Sequence, residues 1–187
     1  MKKNVVALLL TGLALGPLAQ AAEFTSIQAD KSSLGFIYKQ MGVAVDGHFK
    51  KFSAQLSFDP AKPATATAAF DLILASIDAG SEEANDEVAG KDWFNIKAFP
   101  RAKFQSTGVK SLGGNRYEVI GKMTIKGRTQ MVSAPFTFNP QGNAAVIDGA
   151  FVLKRADYAI GEGSWSDFGT VANAIQIKFH FLANAGK

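Results

Sequence analysis

Arg116-Tyr117-Glu118-Val119-Ile120-Gly121-Lys122-Met123-Thr124-Ile125-Lys126-Gly127 carries the alternation from which the fold is read. Tyr117, Val119, Gly121, Met123 and Ile125 share one face, and Arg116, Glu118, Lys122, Thr124 and Lys126 share the other. A period of two marks a half-buried strand, because successive side chains leave a pleated backbone on opposite sides. Just upstream, Gly113-Gly114-Asn115 is a hairpin turn signal. Downstream, Lys126-Gly127 interrupts the run before Val132, Ala134, Phe136 and Phe138 resume it. Pro135 lies on the opposite face of that second run and has no N–H to give to a ladder, which predicts a sheet edge or a bulge.

The same pattern recurs in both directions. Leu34, Phe36 and Tyr38 begin one series, and Val43, Val45 and Phe49 the next, with Gly47 read as a bend or bulge. Phe52, Ala54, Leu56 and Phe58 follow, then Ala66, Ala68, Phe70, Leu72 and Leu74. Ala102, Phe104 and Ser106 precede the opening stretch; Gly149, Phe151 and Leu153, then Val171, Ile175, Ile177, Phe179 and Phe181, complete the chain. About eight or nine strands joined mostly by short turns predict an all-β, antiparallel up-and-down sheet. A sheet of that size closes or splits. The expectation is an eight-stranded lipocalin-like β-barrel with room for one ligand, and a two-sheet sandwich is its rival.

One segment breaks the alternation. Ser81-Glu82-Glu83 reads as an N-cap followed by first-turn acids, and Gly90 as a stop, so a short helical insertion is expected around residues 81–95. Asp92 is read as the cap of a second turn carrying Trp93 and Phe94. Val88, Trp93, Phe94, Ile96 and Phe99 give this insertion an apolar underside, consistent with either a lid or a plug at one barrel end.

The first residues have the pattern of a secretory leader: Lys2 and Lys3, an apolar run from Val5 to Leu15, and Ala19-Gln20-Ala21. Cleavage after Ala21 is expected, leaving one domain over residues 22–187 in the periplasm. With Lys2 and Lys3 removed from 20 basic residues against 16 acidic ones, the formal charge falls from +4 to +2. That balance, without a basic run longer than Lys50-Lys51, excludes a nucleic-acid footprint. The chain has no cysteine, which removes thiol nucleophiles and thiolate metal sites. Fifteen phenylalanines in a chain only 19% charged require an aromatic core or an aromatic-lined cavity.

Catalytic constellations do not emerge. No Gly-x-Ser-x-Gly elbow or His-Glu-x-x-His motif occurs, and Gly161-Glu162-Gly163 lacks the third glycine of a dinucleotide loop. His48 and His180 fall on the outer parity of their strands, so no metal is expected there. The inward parity instead supplies ligand-binding candidates: Phe36, Phe49, Phe58, Phe70, Leu72, Val119, Met123, Ile125, Phe136, Ile177 and Phe179. Met123 is read as having room beside it, because Gly121 stands two residues away. Trp93, Phe94 and Phe99 are candidates for a lid or rim. Arg155, Asp157, Trp165 and Asp167 read either as rim or as a salt-bridged structural corner, with the corner preferred.

Four ordered blocks resemble the YceI-like family of periplasmic, lipocalin-like proteins that bind polyisoprenoid lipids. They are Val45-Asp46-Gly47-His48-Phe49, Phe99-Pro100-Arg101-Ala102-Lys103-Phe104-Gln105-Ser106-Thr107, Gly121-Lys122-Met123-Thr124-Ile125-Lys126-Gly127-Arg128-Thr129 and Arg155-Ala156-Asp157-Tyr158-Ala159-Ile160-Gly161. The resemblance implies an eight-stranded barrel whose tunnel takes an isoprenoid chain, such as a polyprenyl lipid or a quinone tail, with no cofactor required. Many relatives carry a histidine near Gln40 and an arginine-rich pattern where this chain has Asn85 to Asn95, so the family's head-group preference does not transfer. Ile160 to Asp167 resembles the branch found with cytochrome b561-type membrane proteins, which implies a quinone. The expected function is therefore non-enzymatic carriage of an apolar lipid. The alternative is a filled-barrel interaction module serving a membrane partner.

Overall fold

The computed structural model describes residues 23–186; the leader read over residues 1–21 lies outside them. Eleven strands and one α-helix follow in order: β1 (Phe24–Ile27), β2 (Ser33–Gln40), β3 (Val43–Phe49), β4 (Phe52–Ser57), β5 (Thr67–Ile73), β6 (Ile77–Asp78), α1 (Glu82–Ala89), β7 (Arg101–Gly113), β8 (Arg116–Ile125), β9 (Arg128–Gln141), β10 (Ala144–Lys154) and β11 (Ala174–Ala185). Every ladder is antiparallel, and the order across the sheet is β4-β5-β7-β8-β9-β10-β11-β2-β3-β6.

Eleven strands reduce to the expected eight staves once β1, which lies off the main path, is set aside and two corners are recognised. β3 runs into β4 through Lys50 and Lys51, and β5 runs into β6 through a single 3-10 turn at Leu74–Ser76. β4 pairs β5 along its length, and β3 pairs β6 at His48 and Phe49, so the two bent strands stay paired around the corner. The corner keeps its hydrogen bonds: Lys50 N–H donates to Ser76 O at 3.0 Å, Ile73 N–H to Lys51 O at 3.1 Å and Lys51 N–H to Ser76 Oγ at 3.0 Å. One bent strand also pairs β2 and the other pairs β7, which closes the ring. At the base, β1 pairs β11 and bridges to Phe58, beyond the end of β4.

Local chemistry explains the departures from the sequence reading. Lys126 (φ 48°) and Gly127 (φ 73°) form the tight turn between β8 and β9, a conformation that glycine adopts without strain. Gly47 makes neither bend nor bulge, since β2 and β3 stay in register through the Phe36–Gly47 pair. It is there because the Phe36 ring covers the place a methyl would take. Gly121 leaves no room beside Met123 either, because the Phe104 ring fills that space. Pro135 belongs to an interior strand, one residue beyond the last β9–β10 pair at Phe136 and Gly149. Beyond that point β9 and β10 part, and Gln130 Nε2 on β9 donates to Asp157 O of the connection after β10.

The helical insertion has the expected N-cap, with Ala84 N–H donating to Ser81 Oγ at 3.2 Å, and it ends at Gly90. Asp92 has no capping role through its side chain; the following turn is held by Gly90 O, which accepts from Trp93 N–H at 3.2 Å and Asn95 N–H at 2.8 Å. No helix among the described residues is long and apolar enough to cross a membrane.

Candidate functional site

The barrel interior is stacked from a filled base to a roofed mouth. At the base, Phe24, Phe58, Tyr117 and Phe138 pack with ring centroids 4.8 to 6.5 Å apart, most of them edge to face. This arrangement suits aromatic quadrupoles and leaves little void. Above it is a cavity of about 160 Å³, where Phe70, Phe104, Val119, Met123, Phe136 and Phe179 contribute to the wall. Only Thr67 and Lys103 of its lining residues carry a polar side-chain group.

A second cavity of about 450 Å³ continues toward the mouth. Leu72, Ala102, Ile125, Leu153 and Ile177 line both spaces, so they form the waist of one bore. Native interiors pack to crystal-like density, and a space of this size is not left by side chains that merely fill a core. The roof is the helical insertion, which presents Ala84, Glu87, Val88, Trp93 and Phe94 to the wide chamber. No residue of α1 itself is buried, and the helix is pinned at its flank by Trp165 Nε1–H donating to Glu87 Oε1 at 2.6 Å.

The mouth wall between Arg155 and Val171 has little regular structure, and one side chain organises it. The Arg155 guanidinium is 1% exposed. It donates through Nε to Ala172 O at 3.3 Å, through one terminal nitrogen to Ile160 O and Gly161 O at 2.8 Å each, and through the other to Trp165 O at 2.6 Å and Val171 O at 2.8 Å. A guanidinium has five N–H donors, and all five are used. Burial pulls the Arg155 pKa down from its ordinary value. The salt-bridged corner expected at Arg155 is not formed: among the described residues no carboxylate lies within ion-pair distance of it, and backbone carbonyl dipoles solvate the charge instead. Its planar group also lies 5.5 Å from the Trp93 ring and 5.1 Å from the Phe168 ring. Asp92 O ties this wall to the roof by accepting from Gly161 and Glu162 N–H, both at 2.8 Å.

All eleven inward candidates face this bore. Phe58, Phe70, Val119, Met123, Phe136 and Phe179 line the narrow chamber. Phe36 and Phe49 line the wide one, and Leu72, Ile125 and Ile177 the waist. Of the rim candidates, Trp93, Phe94, Arg155 and Trp165 line the wide chamber, but Phe99, Asp157 and Asp167 line neither. Phe99 packs over the β8–β9 turn at Gly127, Asp157 is exposed, and Asp167 holds its own loop by accepting from Gly169 N–H at 2.9 Å. Sequence parity also marked Tyr38, Phe104, Leu153 and Phe181, which line the bore without having been chosen. Val171, which opens the last alternating series, lines the bore as well, whereas Ile160 carried no such signal because it sits in an irregular wall.

Two buried polar atoms have no partner among the described residues: Trp93 Nε1 and Tyr158 Oη. Burial, and secondarily the Asp157 charge, push the Tyr158 hydroxyl up to about 12. Tyr38, whose Oη donates to Ala79 O at 3.0 Å, is also raised by burial. Both histidines lie on the outside, His48 4.0 Å from Asp78 and His180 2.6 Å from Asp148. Among the described residues no cluster of three or more metal-ligating side chains occurs.

Comparison with known proteins agrees with this architecture. A UPF0312 protein of Pseudomonas putida is 34% identical over 145 residues, covering 76% of each chain. The crystal structure of Burkholderia cenocepacia BcnA superposes with a TM-score of 0.83 at 44% identity, covering 85% of this chain and all of that one. A polyisoprenoid binding domain from Saccharophagus degradans shares the fold at a TM-score of 0.65 and 13% identity, covering 89% of this chain and 100% of that domain. The YceI-like domain matches residues 26–183, and the chain belongs to the YceI-like family.

Proposed function

We propose that this protein is a non-enzymatic carrier for a long isoprenoid lipid, prenol or quinone, exported to the periplasm and threaded tail-first into the barrel. The observation that carries this reading is the single bore: a narrow apolar chamber of about 160 Å³ joined through a shared waist to a wide one of about 450 Å³. A prenyl tail in water is penalised by roughly 25 cal/mol per Å² of exposed apolar surface, and a dry phenylalanine-lined bore relieves that cost without any charged group. The wide chamber favours a carrier over a filled-barrel interaction module. The polyisoprenoid-binding description of the Saccharophagus domain supports the same ligand class. Such lipids reside in bilayers, so the implied partner is a membrane or a membrane protein that donates or accepts the lipid.

Periplasmic extraction tests the reading. Protein expressed with its leader is purified from the periplasmic fraction, its N-terminus is determined, and its organic extract is analysed by mass spectrometry. The expected result is a chain beginning at Ala22 with an isoprenoid present in near-molar proportion. Protein that carries no isoprenoid, and takes none up from vesicles containing prenol or quinone, would refute carriage.

A further inference from the structure

The barrel wall is not hydrogen-bonded all the way up. The ladder between β9 and β10 runs from Gln141 and Ala144 only as far as Phe136 and Gly149. Beyond that point both strands continue toward the mouth, β9 back to Arg128 and β10 on to Lys154. Each stays paired on its other flank, β9 with β8 as far as Arg128 and Ile125, β10 with β11 as far as Lys154 and Ala174. Two ordered strands therefore diverge and leave a seam. Pro135, the first residue of β9 past the ladder, has no N–H with which to carry the pairing on. At its mouth end the seam is crossed by side chains. Gln130 Nε2 donates to Asp157 O at 3.1 Å, and Lys126 Nζ donates to Ala159 O at 2.6 Å and pairs with Glu162 at 2.9 Å.

The seam is apolar from the bore to the outer surface. Thr129 to Pro135 of β9 and Gly149 to Leu153 of β10 contain no charged residue, whereas β8 carries Glu118 and Lys122 and β11 carries Lys178. Val132 and Phe151 face inward and line the narrow chamber. Met131 and Val152 face outward and are 57% and 61% exposed. Open strand edges are ordinarily guarded by charge, and apolar side chains exposed beside a cavity mark contact with apolar matter. The cost of opening differs around the ring. Parting β8 from β9, or β10 from β11, breaks a ladder and leaves its backbone groups without partners. Parting β9 from β10 beyond Phe136 breaks no ladder, and only the side-chain contacts at the mouth end have to let go.

We infer that the seam between β9 and β10 is a side gate through which the prenyl tail passes between a bilayer and the bore. This rests on the carrier reading above and gives the lipid its route. The tail leads through the seam into the narrow chamber, and the head group follows once Gln130 and Lys126 release the wall from Asp157 to Glu162. Continuity with the narrow chamber, through Val132 and Phe151, favours a lipid tail over a strand of another chain as the occupant.

The test locks the gate. The chain has no cysteine, so Ser133→Cys with Val152→Cys introduces a single pair of thiols. The two positions fall opposite each other when the Phe136–Gly149 register is carried on, and both are exposed. Delipidated mature protein, its thiols joined by a short reducible bis-maleimide, is mixed with phosphatidylcholine vesicles containing a long-tailed prenylated quinone. Bound quinone is followed by mass spectrometry. Uptake and release should both slow at least about tenfold at unchanged affinity, the mark of a raised barrier, and reduction of the bridge should restore both rates. Gln130→Ala should quicken both rates several-fold. Met131→Lys with Val152→Lys, at two exposed positions, is a second lock that should slow uptake without lowering the melting temperature. Bridged and lysine proteins that exchange quinone at the parent's rate overturn the gate and leave the carrier reading standing, with the mouth as the route. A parent that sediments as a dimer while the bridged protein is a monomer assigns the seam to strand pairing between two copies, and also overturns the gate. If the parent takes up neither the quinone nor a free prenol, the carrier reading itself falls, and the gate falls with it.

Discussion

Replacing Arg155 by lysine probes the mouth wall at its centre. The guanidinium satisfies five backbone carbonyls, those of Ala172, Ile160, Gly161, Trp165 and Val171. An ammonium has three donors on a narrower head, so at least two of these acceptors lose their partner. Each buried acceptor left unmade costs about 1–3 kcal/mol, which puts Arg155→Lys at about 2–6 kcal/mol of lost stability. Against a total of about 5–15 kcal/mol for a domain, that is a large fraction. The hydrogen-bonded ring of staves does not pass through this wall, so the loss should concentrate locally. Urea unfolding supplies the global figure, and amide exchange supplies its location. Gly161 and Glu162, whose N–H groups bond Asp92 O, should exchange much faster, while Val119 in β8 follows only the global change. An Arg155→Lys protein within about 0.5 kcal/mol of the parent, the range of an ordinary surface substitution, would refute the accounting of donors.

Three further outcomes follow from the same geometry. Met123 faces the narrow chamber, so Met123→Trp should abolish co-purified lipid; the unfolding free energy of delipidated protein, from urea unfolding, should fall by less than the about 1–3 kcal/mol that overpacking a filled core exacts, and a larger fall would argue for a filled core. Tyr158 holds its proton up to about pH 12 in the fold but titrates near 10.0 when unfolded. Between those values the unfolded chain binds fewer protons, so stability is intact below pH 10 and declines as pH rises toward 12, by about 2–3 kcal/mol in all. Tyr158→Phe should remove that alkaline loss, and because its hydroxyl has no partner among the described residues, the change should be neutral or stabilising at pH 7. Glu87→Ala removes the acceptor that pins the roof to Trp165, so ligand release measured by fluorescence should quicken several-fold, with a stability change within about 1 kcal/mol for this exposed pair. Unchanged release would count against α1 as a moving roof.

The legible part of this protein was its parity. Alternation in β8, β9 and β11 assigned inward faces without reference to partners, and the bore is lined by those faces. The corners at Lys50–Lys51 and Leu74–Ser76 were hidden, since the inward parity shifts across each, from Phe49 to Phe52 and from Leu74 to Ile77, and such a shift reads as the start of a separate strand. Arg155 was misjudged because an arginine near several acids invites an ion-pair reading, whereas its actual acceptors are carbonyls that every residue possesses. Asp157 and Asp167, adjacent in sequence terms to that wall, serve local turns or face solvent. Gly47 and Gly121 were legible as special positions but not as to why, because the ring that covers each comes from a neighbouring strand.

Those glycines determine the calibre of the pipe. Gly47 lies under Phe36, Gly121 under Phe104 and Gly149 under Phe179, each ring lying where a methyl on the opposing strand would project. Three phenylalanines are thereby flattened against the staves instead of crossing the lumen. A single methyl at any of these sites would meet both a ring and a backbone oxygen, the carbonyl of Asp78, Gln105 or Pro135. The ring would be levered inward, as an obstruction in a tube too narrow to pass it by. The width of the bore is therefore set by hydrogens on the wall, and alanine at any one of these three positions would narrow it, whatever the remaining lining looked like.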